Sequence, residues 1–182
     1  MKALLLNGSP RQGNTAAALE ALKKGFANIS DIQITQVNAN DVSVSPCIAC
    51  ESCKSGEKCV SDDDTNDIVD AAVGSDIIVF ATPVYWWGIT AQLKLLMDKM
   101  YSQSSRLHEL DKKIGVIVIG EAEQDDPQYR IIPEQFRCIC DYLGWEMRFC
   151  RTYTAEGTGD LAADAEAMTE IEGLWELSLI HI

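Results

Sequence analysis

The sequence predicts an α/β fold, a doubly wound sheet of five parallel strands in the order 2-1-3-4-5 with helices on both faces. Three observations carry the prediction. Short apolar runs alternate along the chain with longer segments of helical spacing, the pattern of βαβ units. The runs Ile77-Ile78-Val79-Phe80 and residues 114–119 are too uniformly apolar for a sheet with a wet face, so the middle strands are buried on both sides. A turn containing Gly8 and Gly13 follows the first run directly, where a helix begins.

The strands fall at residues 3–6, 32–37, 77–81, 114–119 and 147–150. Between them, spacings near 3.6 place Leu19, Leu22 and Phe26 on a first helix and Ile68, Val69 and Val73 on a second. Leu93, Leu96, Met97 and Met100 mark a third, and Ile132, Phe136, Ile139 and Leu143 a fourth. A last helix runs over residues 160–177, with Leu161, Met168, Ile171 and Trp175 facing inward. Ser61 followed by Asp64 reads as a capping box, and Gly144 as a helix stop. With 182 residues and no linker or repeat, one domain over residues 1–182 is expected.

Composition narrows the function. The chain is 47% hydrophobic and 24% charged, the balance of a soluble globular domain. A net charge of -13 opposes binding to a nucleic-acid backbone, which depends on Lys and Arg. The acidic clusters at Asp62-Asp63-Asp64 and residues 121–126 read as solvated loops and helix starts. Any phosphate site must therefore supply its own positive potential. Asn7 interrupts the opening apolar run far short of a signal-peptide core or a membrane span, so the cytoplasm is expected. Seven cysteines without an export signal point to thiols or metal ligands, not to a disulfide framework.

The turn after the first strand reads Asn7-Gly8-Ser9-Pro10-Arg11-Gln12-Gly13-Asn14-Thr15. Backbone N–H groups and the helix dipole there can hold an anion. Ser9, Asn14 and Thr15 add donors and Arg11 adds a charge. The spacing nearly reproduces a P-loop, but Asn14 stands where that motif needs a lysine, and the G-x-G-x-x-G of dinucleotide sites is absent. A site for one terminal phosphate remains, which suits FMN. Turn and cap chemistry alone would use the same residues.

After the third strand comes Thr82-Pro83-Val84-Tyr85-Trp86-Trp87-Gly88, followed by Ala91-Gln92-Leu93-Lys94. In the order 2-1-3-4-5 the first and third strands meet at the switch point, so both loops overhang one crevice. Pro83 stiffens the turn, Tyr85 with Trp86 or Trp87 offers flat faces, and Gly88 admits close approach to a planar ring. At least one of the two tryptophans is expected to fill core or a subunit contact.

These two motifs together resemble the NADPH-dependent FMN reductase family of the flavodoxin-like superfamily. The resemblance implies a flavodoxin-like fold and an FMN phosphate held by Ser9, Arg11, Gly13, Asn14 and Thr15, with Pro10 and Gln12 in the same turn. It implies an isoalloxazine ring against Pro83, Val84, Tyr85, Trp86 and Gly88, edged by Gly120 and Glu121. The implied activity passes electrons from NAD(P)H through FMN to a small acceptor or a redox partner, with no side-chain acid or base required. A homodimer or homotetramer is expected, for which Trp86, Trp87, Trp175 and the apolar tail at residues 179–182 offer surface.

Residues 39–60 lack periodicity, and a loop this long is usually functional. It carries Cys47, Cys50, Cys53 and Cys59, four thiolates spaced closely enough to wrap a metal. The spacing resembles the compact motif of iron–sulfur flavoproteins, in which such cysteines hold a [4Fe-4S] cluster. The alternative function on that reading is an electron carrier that does not itself react with NAD(P)H. Structural zinc, a redox disulfide and a cluster-free loop stay open beside it. Lys54 and Lys58 would lower thiol pKa values. Cys138, Cys140 and Cys150 read as core, and His108 and His181 have no ligand partner at suggestive spacing.

Overall fold

The computed structural model describes residues 1–56 and 58–179; residues 180–182, with His181 and most of the apolar tail, lie outside the described residues. The described residues form a five-stranded sheet in the order β2-β1-β3-β4-β5, with every neighbouring pair parallel. The strands are β1 (Lys2–Asn7), β2 (Gln33–Asn38), β3 (Ile77–Pro83), β4 (Lys113–Gly120) and β5 (Glu146–Thr154). The helices are α1 (Asn14–Phe26), α2 (Ser52–Ser55), α3 (Thr65–Gly74), α4 (Ala91–Met100), α5 (Ser104–His108), α6 (Gln128–Leu143), α7 (Asp160–Ala163), α8 (Ala165–Gly173) and α9 (Trp175–Leu179). No helix among the described residues is long and apolar enough to cross a membrane.

Alternation along each strand divides the core into two layers. Leu4, Leu6, Ile78, Phe80, Val116 and Val118 face α3, α4 and α6, where they meet Ile68, Leu93, Leu96, Ile132 and Phe136. Ala3, Leu5, Ile77, Val79, Ile117 and Ile119 face α1 and the C-terminal helices, where they meet Leu19, Leu22, Phe26, Leu161, Ile171 and Leu174. Each large apolar side chain buried this way contributes about 1.5–3 kcal/mol. The second layer also depends on a close helix approach, since a Cβ added at Gly25 of α1 would run into the Glu172 carbonyl of α8.

Three expectations are corrected. The last helix is not continuous over residues 160–177: Asp164 takes an extended conformation between α7 and α8, and its carboxylate caps α8 by accepting from the Glu166 and Ala167 amides. The Ser61–Asp64 capping box does not form. Asp63 instead accepts from the Thr65 amide at 3.0 Å and from the Ser45 amide at 2.8 Å, and Asp64 accepts from the Ser43 amide at 2.7 Å. Asp63 and Asp64 thereby tie the start of the cysteine loop to α3. Finally, Cys138 is exposed; Cys140 and Cys150 lie in the sheet–helix layer, where burial pushes both thiols up to about 11. Gly144 ends α6 with φ 70°, as a C-terminal glycine should.

Candidate functional site

A cavity of about 370 Å³ opens beyond the carboxyl ends of β1, β3, β4 and β5, within the range of small-molecule sites. From the first loop it is lined by Ser9, Arg11, Gly13, Asn14 and Thr15, while Pro10 and Gln12 do not line it. From the loop after β3 come Pro83, Val84, Tyr85 and Trp86, but not Gly88, and from the end of β4 come Gly120 and Glu121. Trp87, offered by the sequence only as an alternative to Trp86, lines the wall beside it; Asp126 and Gln128 were not singled out, nor was the fourth loop after β5, with Ala155, Glu156, Gly157 and Thr158.

The first two loops are locked together. The Gly8 amide donates to the Ala81 carbonyl at 2.8 Å, and the Thr90 hydroxyl donates to the Gly8 carbonyl at 2.7 Å while accepting from the Leu93 amide to cap α4. A Cβ on Gly8 would stand 3.0 Å from the Leu93 side chain and 3.1 Å from the Thr90 hydroxyl, so glycine lets the two loops approach without displacing either. Within the turn, the Ser9 hydroxyl bonds both the amide and the carbonyl of Arg11. No side chain caps α1 at Gly13, which leaves its first-turn amides without a side-chain acceptor, the condition under which a helix start can hold an anion. Arg11 is the one cation among the described residues that line the cavity.

Asn14, expected as a phosphate donor, lines the cavity but has its side chain engaged with the fourth loop. Its amide donates to the Gly157 carbonyl at 2.9 Å, and its oxygen accepts from the Gly159 amide at 2.9 Å and the Leu161 amide at 3.2 Å. The side chain therefore fastens the fourth loop to the first.

Residues 85–88 form a two-residue hairpin in which Tyr85 and Gly88 exchange backbone hydrogen bonds of 2.9 and 3.0 Å. Its central residues, Trp86 and Trp87, have φ 52° and 60°. Such turns favour Asn and Gly, and non-glycine residues there store on the order of 1 kcal/mol each. Both tryptophans line the cavity, Trp86 being 92% exposed, so neither fills core. Trp175, by contrast, packs partly against the α1-side core. The Trp87 indole donates to Asp126 Oδ1 at 3.1 Å, and the same oxygen accepts from the Gln128 amide at the start of α6. One carboxylate thus joins the hairpin to the loop after β4.

Gln128 is 6% exposed, and its Nε2 is buried with no hydrogen-bond partner among the described residues. A Cβ on Gly120 would lie 2.7 Å from that nitrogen and 2.8 Å from the Tyr129 hydroxyl. Buried donors are normally satisfied, so an orphan on a cavity wall marks a place for a ligand acceptor. Free helix-start amides, one arginine, flat aromatic faces and an unpaired amide donor together fit a ligand with one anionic end and a polar-edged planar ring.

Cys47, Cys50, Cys53 and Cys59 line one separate cavity of about 320 Å³, together with Lys99 and Tyr101. Among the described residues no three His, Cys, Asp or Glu side chains are gathered closely enough to hold a metal ion. As arranged, the thiols do not fit a cluster or zinc. Lys54 and Lys58 are paired with Glu51 and Asp70, and the cation that addresses a thiol is Lys99, 3.7 Å from Cys59 Sγ and 2.6 Å from the Ser61 hydroxyl. Burial pushes the Cys59 thiol up, but the hydrogen bonds of Ser61 and the charge of Lys99 outweigh it and hold the pKa below the usual thiol value. The Ser52 hydrogen bonds likewise lower Cys50.

A family model described as NADPH-dependent FMN reductase matches residues 1–132. An iron–sulfur flavoprotein of Methanocaldococcus jannaschii is 33% identical over 136 residues, covering 74% of this chain and 69% of that one. A Bacillus subtilis protein named as an NAD(P)H-dependent FMN-containing oxidoreductase is 28% identical over 98% of both chains. Among solved structures, an NAD(P)H:quinone oxidoreductase from Methanothermobacter marburgensis superposes with a TM-score of 0.71 over 100% of this chain and 99% of that one, at 14% identity. That last likeness is one of fold.

Proposed function

The chain belongs to the NADPH-dependent FMN reductase family, and from that premise we propose that it is an NAD(P)H-dependent oxidoreductase that binds FMN in the cavity above β1, β3 and β4 and passes electrons to a small acceptor or redox partner. The observation that carries the reading is the meeting of an uncapped α1 start and an aromatic hairpin over one cavity whose wall holds an unpaired Gln128 amide. When bound, FMN supplies the two-electron chemistry, accepting hydride from reduced nicotinamide and returning the electrons, with protons from solvent, to the acceptor.

The chain's residues bind and orient. The α1 amides, Arg11 and Thr15 hold the phosphate, with Ser9 shaping the turn that presents them. Pro83, Val84, Tyr85 and Trp86 would support the ring, and Gln128 would offer its unpaired amide to an acceptor on it. Gly120 leaves room for the Gln128 amide and the Tyr129 hydroxyl to pack beneath the end of β4, and Glu121 would stand beside the ring. Residues 1–182 act as one flavin-binding unit. The reading also includes a homodimer or homotetramer, which sedimentation measures directly.

The test is anaerobic addition of NADH or NADPH to the FMN-loaded protein. Bleaching of the yellow colour is expected; a flavin that binds but stays oxidised with both nucleotides would overturn the reductase reading. The alternative, an iron–sulfur electron carrier that does not react with NAD(P)H, draws on the shared cavity of the four cysteines and the name of a relative. Because the thiols as arranged do not fit a metal, no step is assigned to one. Iron and sulfide analysis of anaerobically purified protein separates the two readings.

A further inference from the structure

The cavity carries more negative than positive side-chain charge. Glu121, Asp126 and Glu156 line it against one described cation, Arg11. Arg11 lies in the first loop, at the end suited to a phosphate, so a bound FMN uses it and leaves the remaining wall without a positive side chain. Glu121 and Glu156 are exposed and have no hydrogen-bond or ion-pair partner among the described residues. Asp126 is bonded only by neutral donors, the Trp87 indole and the Gln128 amide. That the cavity receives a ligand rests on an observation independent of charge, the 94%-buried Gln128 side chain whose amide nitrogen has no acceptor.

Building on the flavin reading above, we infer that Glu121, Asp126 and Glu156 select co-substrates by charge. NADH is preferred to NADPH as donor, and neutral or cationic planar acceptors are preferred to anionic ones. The 2′-phosphate adds about two negative charges to the donor. At separations on the order of 8 Å, in water and at physiological salt, each carboxylate then costs the more charged nucleotide about two- to threefold. Three carboxylates give about tenfold, more at low ionic strength. The exposed hairpin tryptophans offer a stacking face to a planar acceptor without adding charge.

The experiment compares wild type with the double variant Glu121→Gln, Glu156→Gln by two independent readouts. In the FMN-loaded protein, anaerobic second-order reduction should be about tenfold faster with NADH than with NADPH. The ratio should shrink with added salt and fall about fivefold in the double variant. Reoxidation by a neutral quinone should outpace that by its sulfonated analogue, with the same dependence. In the cofactor-free protein, iodide should quench tryptophan emission less than caesium does, normalised to acrylamide, and the double variant should admit iodide severalfold better. Equal or faster reduction by NADPH, or a double variant that changes neither the ratio nor the quenching, overturns the inference while leaving the flavin assignment intact. If neither nucleotide reduces bound FMN, the reductase reading falls and takes the donor preference with it, while the quenching and acceptor comparisons still decide whether the wall selects by charge.

Discussion

Replacing Asn14 by alanine separates two roles that the sequence leaves superposed. As a phosphate donor, Asn14 would matter to FMN and little to the empty protein. As the fastening between the first and fourth loops, it makes three hydrogen bonds, to the Gly157 carbonyl and the Gly159 and Leu161 amides. Each is worth about 1 kcal/mol net, and the loop is exposed enough for water to recover part of the loss, so Asn14→Ala should cost about 2 kcal/mol. With a urea m-value of about 2 kcal/mol/M, the unfolding midpoint of the cofactor-free protein should drop by about 1 M at unchanged slope. FMN affinity, measured by titrating flavin fluorescence, should fall only severalfold, because residues 155–158 lose their anchor while the amides of α1 remain. A midpoint moved by less than about 0.2 M together with an affinity cut of tenfold or more, about 1.4 kcal/mol, would refute the reasoning and restore Asn14 to the phosphate.

Gly25→Ala drives a Cβ into the Glu172 backbone, which cannot rotate away, and should cost about 3 kcal/mol by parting α1 from α8; thermal unfolding reads it, and a loss under about 1 kcal/mol would mean the helices are not in contact in solution. Trp86→Asn relaxes a positive φ at an exposed position, so stability should rise by about 0.5–1 kcal/mol while FMN binding weakens, and a stability loss would contradict the strained hairpin. Burial would raise the Asp63 carboxyl, but hydrogen bonds from Thr65 and Ser45 outweigh it and hold its pKa well below the usual carboxylate value. The tether it provides is therefore fully present at neutral pH and down to about pH 4, then fades as the acid form populates the folded state. Amide exchange at Ser45 and Thr65 should follow that course, and loosening already at about pH 6 would assign the tether to another group.

The middle of the sheet was legible because β1, β3 and β4 are buried on both faces and so read as unbroken apolar runs. The end of β5 was not, since Arg151, Thr152 and Thr154 carry polar atoms to a sheet edge and mask the strand. The break at Asp164 had a visible cause, a capping aspartate before Ala165, but apolar spacing across it persisted and won. In the site, the two loops with distinctive turn chemistry were found from their residues, the end of β4 with Gly120 and Glu121 was reached through the family resemblance, and the loop after β5 was missed. Residues 155–158 hold no group whose chemistry announces a ligand, and Gln128 becomes noteworthy only when burial leaves its amide unpaired. The positive φ values of both tryptophans run against residue preference and set them at an exposed hairpin tip, so of the expectation that one fills core or a subunit contact only the second half stands.

The partners of Asn14 also set an order on biosynthesis. They lie 143 and 145 positions further along the chain, at Gly157 and Gly159. A ribosome adding residues at about 5–20 per second delivers them roughly 7–30 s after Asn14 itself. Until then a nascent chain can pair its early strands, yet the pocket lacks its fourth side, so any ligand held by all four loops waits for the loop after β5 to emerge.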